Sequence, residues 1–416
     1  MRHSALRALT GATALIALAA CSDSPSGSAT DREDAVRFQR LLVADAQAPS
    51  ARLMALHNDS LIATYSLSAP ASAAYRTHSG RYGVLHQRTG NRVQFVDGGS
   101  WANGESATRG AASMLDFRME DGLPTHENVN GDWVSVFFDG SGVARWMRES
   151  EAAAGTPRVA FEAATGGAHH GGSFTAFAGT TPYFAHTFAN PAGGSPARVA
   201  VRNQAGQVVA EADCPGMHGN GSVTAGGVFG CNNGMVLVRA GGAGITAQHV
   251  TLSGDMAGLA LRNAYTGGSL ILGQFSAFPG QPAQRVLATI DPTSGSVNRL
   301  PALPQGVVDH WRAVEPARGQ IVILGTDGAL YVYDGASRQL QRTVSGVVPA
   351  LAATGAATHQ VAVVEGLAAV ASPTAGQVVL VDLLSGSVLR RVQVGGAPSR
   401  LAILGPGALG QYQVAR

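Results

Sequence analysis

Lysine is absent from this sequence: all 29 basic residues are arginine, and they stand against 27 acidic residues for a formal net charge of +2. Charged residues make up only 13% of the chain. Proteins that bind nucleic acids concentrate positive charge on one face, where it neutralises phosphates. Sparse and nearly balanced charge therefore predicts no nucleic-acid partner.

Long apolar runs are also missing, apart from one near the start. Residues 8–20 form an apolar stretch behind a short basic segment, too short to span a bilayer and typical of a signal peptide. The end of the stretch and the next residue read LAAC, the pattern of a bacterial lipoprotein cleavage site, which would make Cys21 the lipidated residue; an ordinary signal peptide is the alternative. Ser22, where an aspartate would favour the inner membrane, favours the outer one. We expect a signal peptide at 1–20, a lipidated cysteine with a flexible tether at 21–36, and a lipid-anchored protein on the periplasmic side of the envelope.

Cysteine is scarce as well. The chain has three, and lipidation of Cys21 leaves Cys214 and Cys231. Because a signal peptide sends the chain to an oxidising compartment, we expect these two residues to form a disulfide. A zinc site that uses Cys214 and His218 as ligands is the competing interpretation.

A weak internal repeat of strand, turn and strand organises the remaining chain, 37–416. Segments with helical periodicity are almost absent, so we expect a single all-β domain. Eight copies of the repeat begin 41 to 51 residues apart, a spacing typical of four-stranded propeller blades. The copies lie at 40–56, 81–97, 132–148, 182–203, 227–239, 269–291, 320–334 and 367–382.

Eight copies predict an eight-bladed β-propeller, or a seven-bladed one if two copies are halves of the same blade. The segment 399–404 has the pattern of a strand without a blade of its own, and the first copy near Leu41 lacks an inner strand. We expect these terminal segments to pair and close the ring, because radial closure leaves no long exposed edge.

Histidine recurs where each repeat would enter the strand that lines the central channel. The positions are His126, His169-His170, His218, His310 and His359. Equivalent places in neighbouring blades meet at the channel, and Zn²⁺ needs three or four converging nitrogen, oxygen or sulfur ligands. We therefore predict a Zn²⁺ site in the channel.

The first three positions form the main predicted ligand set, because they fall in consecutive copies; His310 and His359 are weaker candidates. His169 and His170 are adjacent, so in a regular strand only one of them faces the site. Glu127 and Asp213 are the nearest carboxylates for a fourth position. Imidazole also binds copper and nickel, and only neutral imidazole binds a metal, so we expect the affinity to fall below about pH 6.

Signatures of catalysis are absent. The sequence has no GxSxG elbow, and its glycine-rich stretches lack the lysine of a phosphate-binding loop, so we expect no enzyme. A lactonase-like metal-assisted hydrolase, with the same histidines activating water, is one alternative. A propeller scaffold whose blade faces recruit partners is the other.

Several short motifs carry a resemblance to a known family. They are RLLVADAQAP, NGDWVSVFFDGSGVA, an AHHG segment, CPGMHG followed by FGC, and the closing THQVAVVEGLAAVASPTAGQVVLVD. In these motifs, which run over most of residues 38–405, the chain resembles the AztD family of periplasmic zinc metallochaperones. The resemblance implies a β-propeller that carries zinc and hands it to the solute-binding protein of a zinc ABC importer.

The resemblance also implies zinc ligands at His126, at His169 or His170, and at His218, together with a disulfide between the two remaining cysteines. One departure is the stretch GGSWANGESATRGAASM, at 98–114, which has no histidine where family members carry a flexible segment rich in histidine and aspartate.

The lipid anchor is the second departure. An anchored protein diffuses less freely to an importer's binding protein, so a fixed zinc store is an alternative role. We expect the protein to act as a monomer.

Overall fold

The computed structural model describes residues 36–103, 106–242, 244–277, 285–353 and 358–406. Its strands form eight four-stranded antiparallel sheets, the blades of one β-propeller, and a separate two-stranded hairpin. No helix in these ranges is long and apolar enough to span a membrane. The predicted signal peptide, Cys21 and nearly all of the predicted tether lie outside the described residues.

The strands are numbered in chain order and grouped by blade. The chain opens with β1 (Arg40–Asp45), β2 (Ser50–Ala55) and β3 (Leu61–Ser66), the outer strands of blade 8. Blade 1 consists of β4 (Ala73–Arg76), β5 (Tyr82–Gln87), β6 (Arg92–Asp97) and β9 (Ser113–Glu120), with the hairpin β7 (Ser100–Asn103) and β8 (Ser106–Arg109) inserted before β9. Blade 2 consists of β10 (Pro124–Asn130), β11 (Trp133–Phe138), β12 (Val143–Arg148) and β13 (Phe161–Ala164). Blade 3 consists of β14 (Ser173–Ala178), β15 (Thr181–Phe188), β16 (Arg198–Arg202) and β17 (Val208–Asp213).

The second half of the ring repeats the pattern. Blade 4 consists of β18 (Asn220–Val223), β19 (Gly226–Cys231), β20 (Gly234–Gly241) and β21 (Gly244–Thr251). Blade 5 consists of β22 (Leu259–Gly267), β23 (Leu270–Ala277), β24 (Arg285–Ile290) and β25 (Val297–Arg299). Blade 6 consists of β26 (Asp309–Val314), β27 (Gln320–Gly325), β28 (Leu330–Asp334) and β29 (Leu340–Val344). Blade 7 consists of β30 (Val361–Val364), β31 (Leu367–Ser372), β32 (Gln377–Asp382) and β33 (Ser387–Gln393), and β34 (Pro398–Leu404) completes blade 8. Short helical segments are α1 (Glu149–Ala153) and the 3-10 turns Arg88–Gly90, Gly254–Met256 and Pro373–Ala375.

The sequence prediction of eight blades is confirmed. Each repeat copy supplies the second and third strands of one sheet, and the divergent copy at 182–203 forms β15 and β16 of a complete blade rather than half of another. The ring closes as predicted, because β34 pairs antiparallel with β1, with Leu41 opposite Ile403 and Val43 opposite Leu401.

Alternation along the strands creates a hydrophobic core between each pair of blades. In β31, Leu367 and Ala369 pack in the core shared with blade 8, whereas Ala368 and Val370 pack in the core shared with blade 6. Successive side chains of a strand point to opposite faces, so a strand of small and β-branched apolar residues serves both neighbours at once. These shared cores hold each blade against its two neighbours in the ring.

The innermost strands, β4, β10, β14, β18, β22, β26, β30 and β34, all run in the same direction through the channel. We call the end at which they begin the upper end and the opposite one the lower end. Because the β7–β8 hairpin joins a third strand to a fourth, it lies at the lower end. The strand β1 also begins there, since it runs antiparallel to β34.

Candidate metal centre

Three imidazoles from consecutive blades converge at the upper end of the channel. His126 is the third residue of β10, and His170 and His218 lie in the loops that lead into β14 and β18. The Nε2 atoms of His126 and His170 are 3.2 Å apart, and the ring centroids of these residues are 4.8 Å apart. The ring centroids of His170 and His218 are 5.2 Å apart. The structure thus brings together the main set of histidines that the sequence singled out.

The spacing of these rings suits a tetrahedral metal. Zinc–nitrogen bonds of about 2.0–2.1 Å place two ligand nitrogens about 3.3 Å apart and two imidazole centroids about 5 Å apart. As the side chains stand, however, no three His, Cys, Asp or Glu residues in the described ranges form a group that encloses a metal position. The three imidazoles meet in pairs, so a common ion requires at least one ring to change its position.

Asp139 orients the central imidazole. Its Oδ2 atom lies 2.9 Å from Nδ1 of His170 and 3.0 Å from the guanidinium of Arg88. Burial alone would raise the pKa of Asp139, but hydrogen bonds from His170, Thr125 and Arg88 hold it below its usual value. An ionised carboxylate only accepts hydrogen bonds, so Nδ1 of His170 carries the hydrogen and Nε2 presents its lone pair to His126.

His218 is oriented by a backbone carbonyl instead of a carboxylate. Its Nδ1 donates to the carbonyl oxygen of Arg262 over 2.7 Å, so Nε2 carries the lone pair. The backbone N–H of His218 donates to the carbonyl oxygen of Gly230 over 3.0 Å, and this hydrogen bond connects the loop to β19. The next residue, Gly219, has a positive φ of 81°, and a Cβ there would overlap the backbone of Arg262. A glycine at this position allows the loop to approach blade 5.

Burial keeps the rings of His126 and His218 neutral. The pKa of His126 falls to about 3 because burial disfavours the charged ring, with repulsion from a protonated His170 as a further cause. Burial also lowers the pKa of His218. Neutral imidazole is the form that binds metals, so the site is prepared for a cation at neutral pH.

His169 points away from this cluster. Its Nδ1 lies 2.8 Å from the carbonyl of Gly167, its Nε2 lies 3.0 Å from the hydroxyl of Thr187, and its ring packs edge-on against Phe137. Of the adjacent pair, His170 alone contacts the other imidazoles, but both residues lie in a loop and not in the regular strand on which the sequence expectation depended. A Cβ on the following Gly171 would overlap Thr187, Phe137 and His169, which explains the glycine after the pair.

The two carboxylates suggested by the sequence lie elsewhere. Glu127 hydrogen-bonds with Tyr75 of blade 1, and burial raises its pKa well above the usual value, which disfavours the charged form that a metal would require. Asp213 is exposed at the end of β17, the outermost strand of blade 3, and does not reach the channel cluster. Asp139, one residue beyond β11, is the carboxylate that contacts the cluster. In the sequence it has the appearance of an ordinary turn aspartate, and only the packing of blade 2 against blade 3 reveals its partner.

The remaining candidates form a separate pair. His310 is the second residue of β26 and His359 precedes β30, with ring centroids 5.4 Å apart. In a ring of eight, blades 6 and 7 lie opposite blades 2 and 3, so this pair is across the channel from the three imidazoles.

Cys214 and Cys231 form the predicted disulfide. Cys214 therefore is not a metal ligand beside His218, and the competing zinc interpretation is wrong. The disulfide instead joins the chain just before the His218 loop to the end of β19.

The stretch 98–114 contains the β7–β8 hairpin at the lower end, far from the imidazoles along the channel axis. Trp101 of this hairpin packs against the guanidinium of Arg81, with 4.1 Å from the Cζ atom to the ring centroid. The segment has no histidine, and its described residues lie at the opposite end of the channel from the cluster.

Comparisons with known proteins identify the fold. No family model and no curated protein matches the sequence. Among solved structures, apo AztD from Citrobacter koseri matches with a TM-score of 0.76 and 21% identity, covering 89% of this chain and 98% of that chain. A crystal structure of Citrobacter koseri AztD matches with a TM-score of 0.77 and 21% identity, covering 89% and 99%.

A more distant match is the dihydro-heme d1 dehydrogenase NirN in complex with DHE, with a TM-score of 0.52, 11% identity, and coverage of 88% of this chain and 75% of that chain. The fold expected from the sequence motifs is confirmed: over most of its length this chain shares the eight-bladed propeller of AztD.

Proposed function

We propose that this protein binds one zinc ion through His126, His170 and His218 and delivers it to the solute-binding protein of a zinc ABC importer. The observation that supports the proposal most directly is the convergence of three imidazoles from three consecutive blades, two of them with Nε2 atoms 3.2 Å apart. The resemblance of the sequence motifs to a zinc metallochaperone family adds the direction of transfer.

The donor set suits a cargo that must leave again. Three neutral imidazoles supply three ligands without a thiolate, and water or a carboxylate completes the tetrahedron. Asp139 holds the orientation of His170, as carboxylates behind metal-binding histidines do. An open fourth position gives a partner's ligand a place to attack before the zinc dissociates.

The N-terminal strand and the proposed zinc site lie at opposite ends of the propeller, which favours release of zinc on the side away from the membrane. The propeller begins with β1 at the lower end, whereas the three imidazoles lie at the upper end. A lipid on Cys21 would therefore hold the lower end toward the membrane and leave the imidazoles facing the periplasm. This arrangement serves either transfer to a binding protein or a fixed zinc store.

Zinc titration of the chain from residue 22 onward tests the binding step. We expect one tight equivalent, lost in His126→Ala, His170→Ala and His218→Ala and retained in the exposed control His78→Ala. Tight binding that persists in all three variants, or none in the wild type, would overturn the proposal.

A second measurement separates transfer from storage. The zinc-loaded protein is mixed either with a metal-free importer binding protein or with a small-molecule chelator of matched affinity. Faster loss of zinc to the protein than to the chelator indicates handover through a complex, and equal rates indicate a store that releases zinc passively.

A further inference from the structure

His310 and His359 occupy the same place in their blades as the three imidazoles do in theirs. Each lies where the chain enters the innermost strand, so both are at the upper end of the channel. They come from adjacent blades, 6 and 7, on the wall opposite the His126 cluster. The channel mouth therefore carries two groups of histidines that face each other.

The geometry of the pair resembles that of a shared metal. The ring centroids are 5.4 Å apart, close to the separation of about 5 Å for two imidazoles on one tetrahedral ion. The corresponding distances in the His126 cluster are 4.8 and 5.2 Å. The centroid separation of the pair is therefore close to those in the larger cluster.

The nitrogens of the pair are available for a ligand. The Nε2 atom of His310 is buried and has no hydrogen-bond partner among the described residues. His359 is buried, and its Nδ1 lies 2.9 Å from the hydroxyl of Thr358. When that hydroxyl accepts the hydrogen bond, Nε2 of His359 carries the lone pair.

The residues around the pair limit which cation it can bind and how tightly. Asp309, next to His310, forms ion pairs with Arg285 and Arg312, so its charge is already compensated. Arg400 lies over the ring of Trp311 and adds a positive charge nearby. Two neutral imidazoles without a carboxylate exclude tight binding of hard cations such as Mg²⁺ or Ca²⁺ and favour Zn²⁺, Cu²⁺ or Ni²⁺ held weakly, with water in the other positions.

We propose that His310 and His359 form a second, weaker metal site, which holds zinc transiently across the channel mouth from the tight site. A role of this site in zinc transfer rests on the proposed function, whereas the existence of the site does not. A weakly held ion at the same mouth raises the local zinc concentration beside the His126 cluster and shortens the path of loading.

Zinc titration of the chain from residue 22 onward is the test, with the second equivalent as the readout. We expect a second equivalent at least tenfold weaker than the first, lost in His310→Ala and His359→Ala and unchanged in His78→Ala. Thermal unfolding of the metal-free variants verifies that they are folded. If a variant does not fold, His359→Gln replaces it, because glutamine keeps a polar side chain that can still bond to Thr358. A second equivalent that persists in the folded variants, or none in the wild type, would falsify the site.

Loss of the tight site provides an independent check. In a His126→Ala/His218→Ala background, Cu²⁺ serves as the probe, and electron paramagnetic resonance counts its nitrogen ligands. Two coupled nitrogens that disappear on further replacement of His359 support the site, and an unchanged spectrum contradicts it. If the wild type shows the weak equivalent but no tight one, the proposed function fails while this site stands.

Discussion

The carboxylate of Asp139 determines which nitrogen of His170 faces the channel. Its Oδ2 atom lies 2.9 Å from Nδ1, and the opposite nitrogen, Nε2, lies 3.2 Å from Nε2 of His126. The two donors at the centre of the proposed zinc site are therefore arranged by a residue that would not itself touch the metal.

Replacing Asp139 with asparagine should weaken zinc binding about 10- to 100-fold, the usual cost of losing a carboxylate behind a metal-binding histidine. The amide is neutral and can bond to either tautomer of His170, so the lone pair of Nε2 is no longer fixed toward the metal. Chelator competition measures the change. Asp132→Asn is the matched control, because Asp132 pairs with Arg148 at the surface. Equal zinc affinity in Asp139→Asn and the wild type would show that the carboxylate does not support the site.

The adjacent histidines should separate cleanly in mutagenesis. His170→Ala removes a ligand and should abolish tight zinc binding with little change in stability, because 42% of the side chain is exposed. His169→Ala should keep zinc binding but lower the free energy of unfolding by about 1–3 kcal/mol, since the buried ring bonds to Gly167 and Thr187. Zinc titration and denaturant unfolding of both variants give the two readouts. The opposite pattern would mean that the wrong member of the pair was assigned as the ligand.

The repeat and its closure were predictable because they follow from local patterns. Alternating apolar residues define each strand pair, and one blade must bury its faces against the next, so the number of copies sets the number of blades. The pairing of the segment 399–404 with the first repeat copy follows from the same argument, since the two incomplete terminal segments complete one blade, whereas the register of that pairing comes from the structure.

The details of the site were less predictable, because they depend on loops and on contacts between blades. Repeat position brought His126, His170 and His218 together, but it could not choose between the adjacent histidines, whose loop conformation depends on Gly171. Nearness in sequence suggested Asp213, which the fold carries to the outer strand, and overlooked Asp139, whose partner belongs to another blade. Sequence distance is a poor guide to carboxylates when ligands come from different sheets.

Proton competition with zinc should be weaker than three ordinary histidines would give. Burial lowers the pKa of His126, to about 3, and that of His218. At pH 5.5–7 His126 has no imidazolium proton to lose and His218 has fewer than an ordinary histidine. Fewer than two protons should therefore be released per zinc, and the loss of affinity expected from the sequence below about pH 6 should be shallow. Isothermal titration in buffers of different ionisation enthalpy counts the protons. A value near three would contradict the low pKa values.

The stability of the metal-free protein should decline as the pH falls from 6.5 toward 3. His86 is fully buried without a hydrogen-bond partner for either ring nitrogen in the described part of the chain, and burial lowers its pKa from 6.5 to about 3. Below pH 6.5 the unfolded state takes up a proton that the native state does not, at a cost of about 1.4 kcal/mol per pH unit. His86→Leu should reduce this slope by one proton, as measured by denaturant unfolding between pH 7 and pH 4.5. Met119→Leu, a change in the adjoining core without a titratable group, should leave the slope intact.

Reducing the disulfide should weaken zinc binding as well as stability. Cys214 and Cys231 are 17 residues apart, and opening a loop of this size lowers the free energy of unfolding by roughly 3 kcal/mol in the chain-entropy model. The loop contains His218, whose backbone bonds to Gly230 beside Cys231, so reduction frees one ligand from its support. We expect a Cys214→Ser/Cys231→Ser variant to bind zinc at least tenfold more weakly than the oxidised protein, measured by chelator competition at a temperature where both are folded.

The His218→Ala variant is the control for this effect. This variant lacks the ligand that the disulfide supports. The oxidised and reduced forms of His218→Ala should therefore have the same residual zinc affinity. The stability difference between the oxidised and reduced forms should remain. If reduction lowers the residual affinity of His218→Ala by the same factor as that of the wild type, the disulfide acts on the whole blade and not through His218.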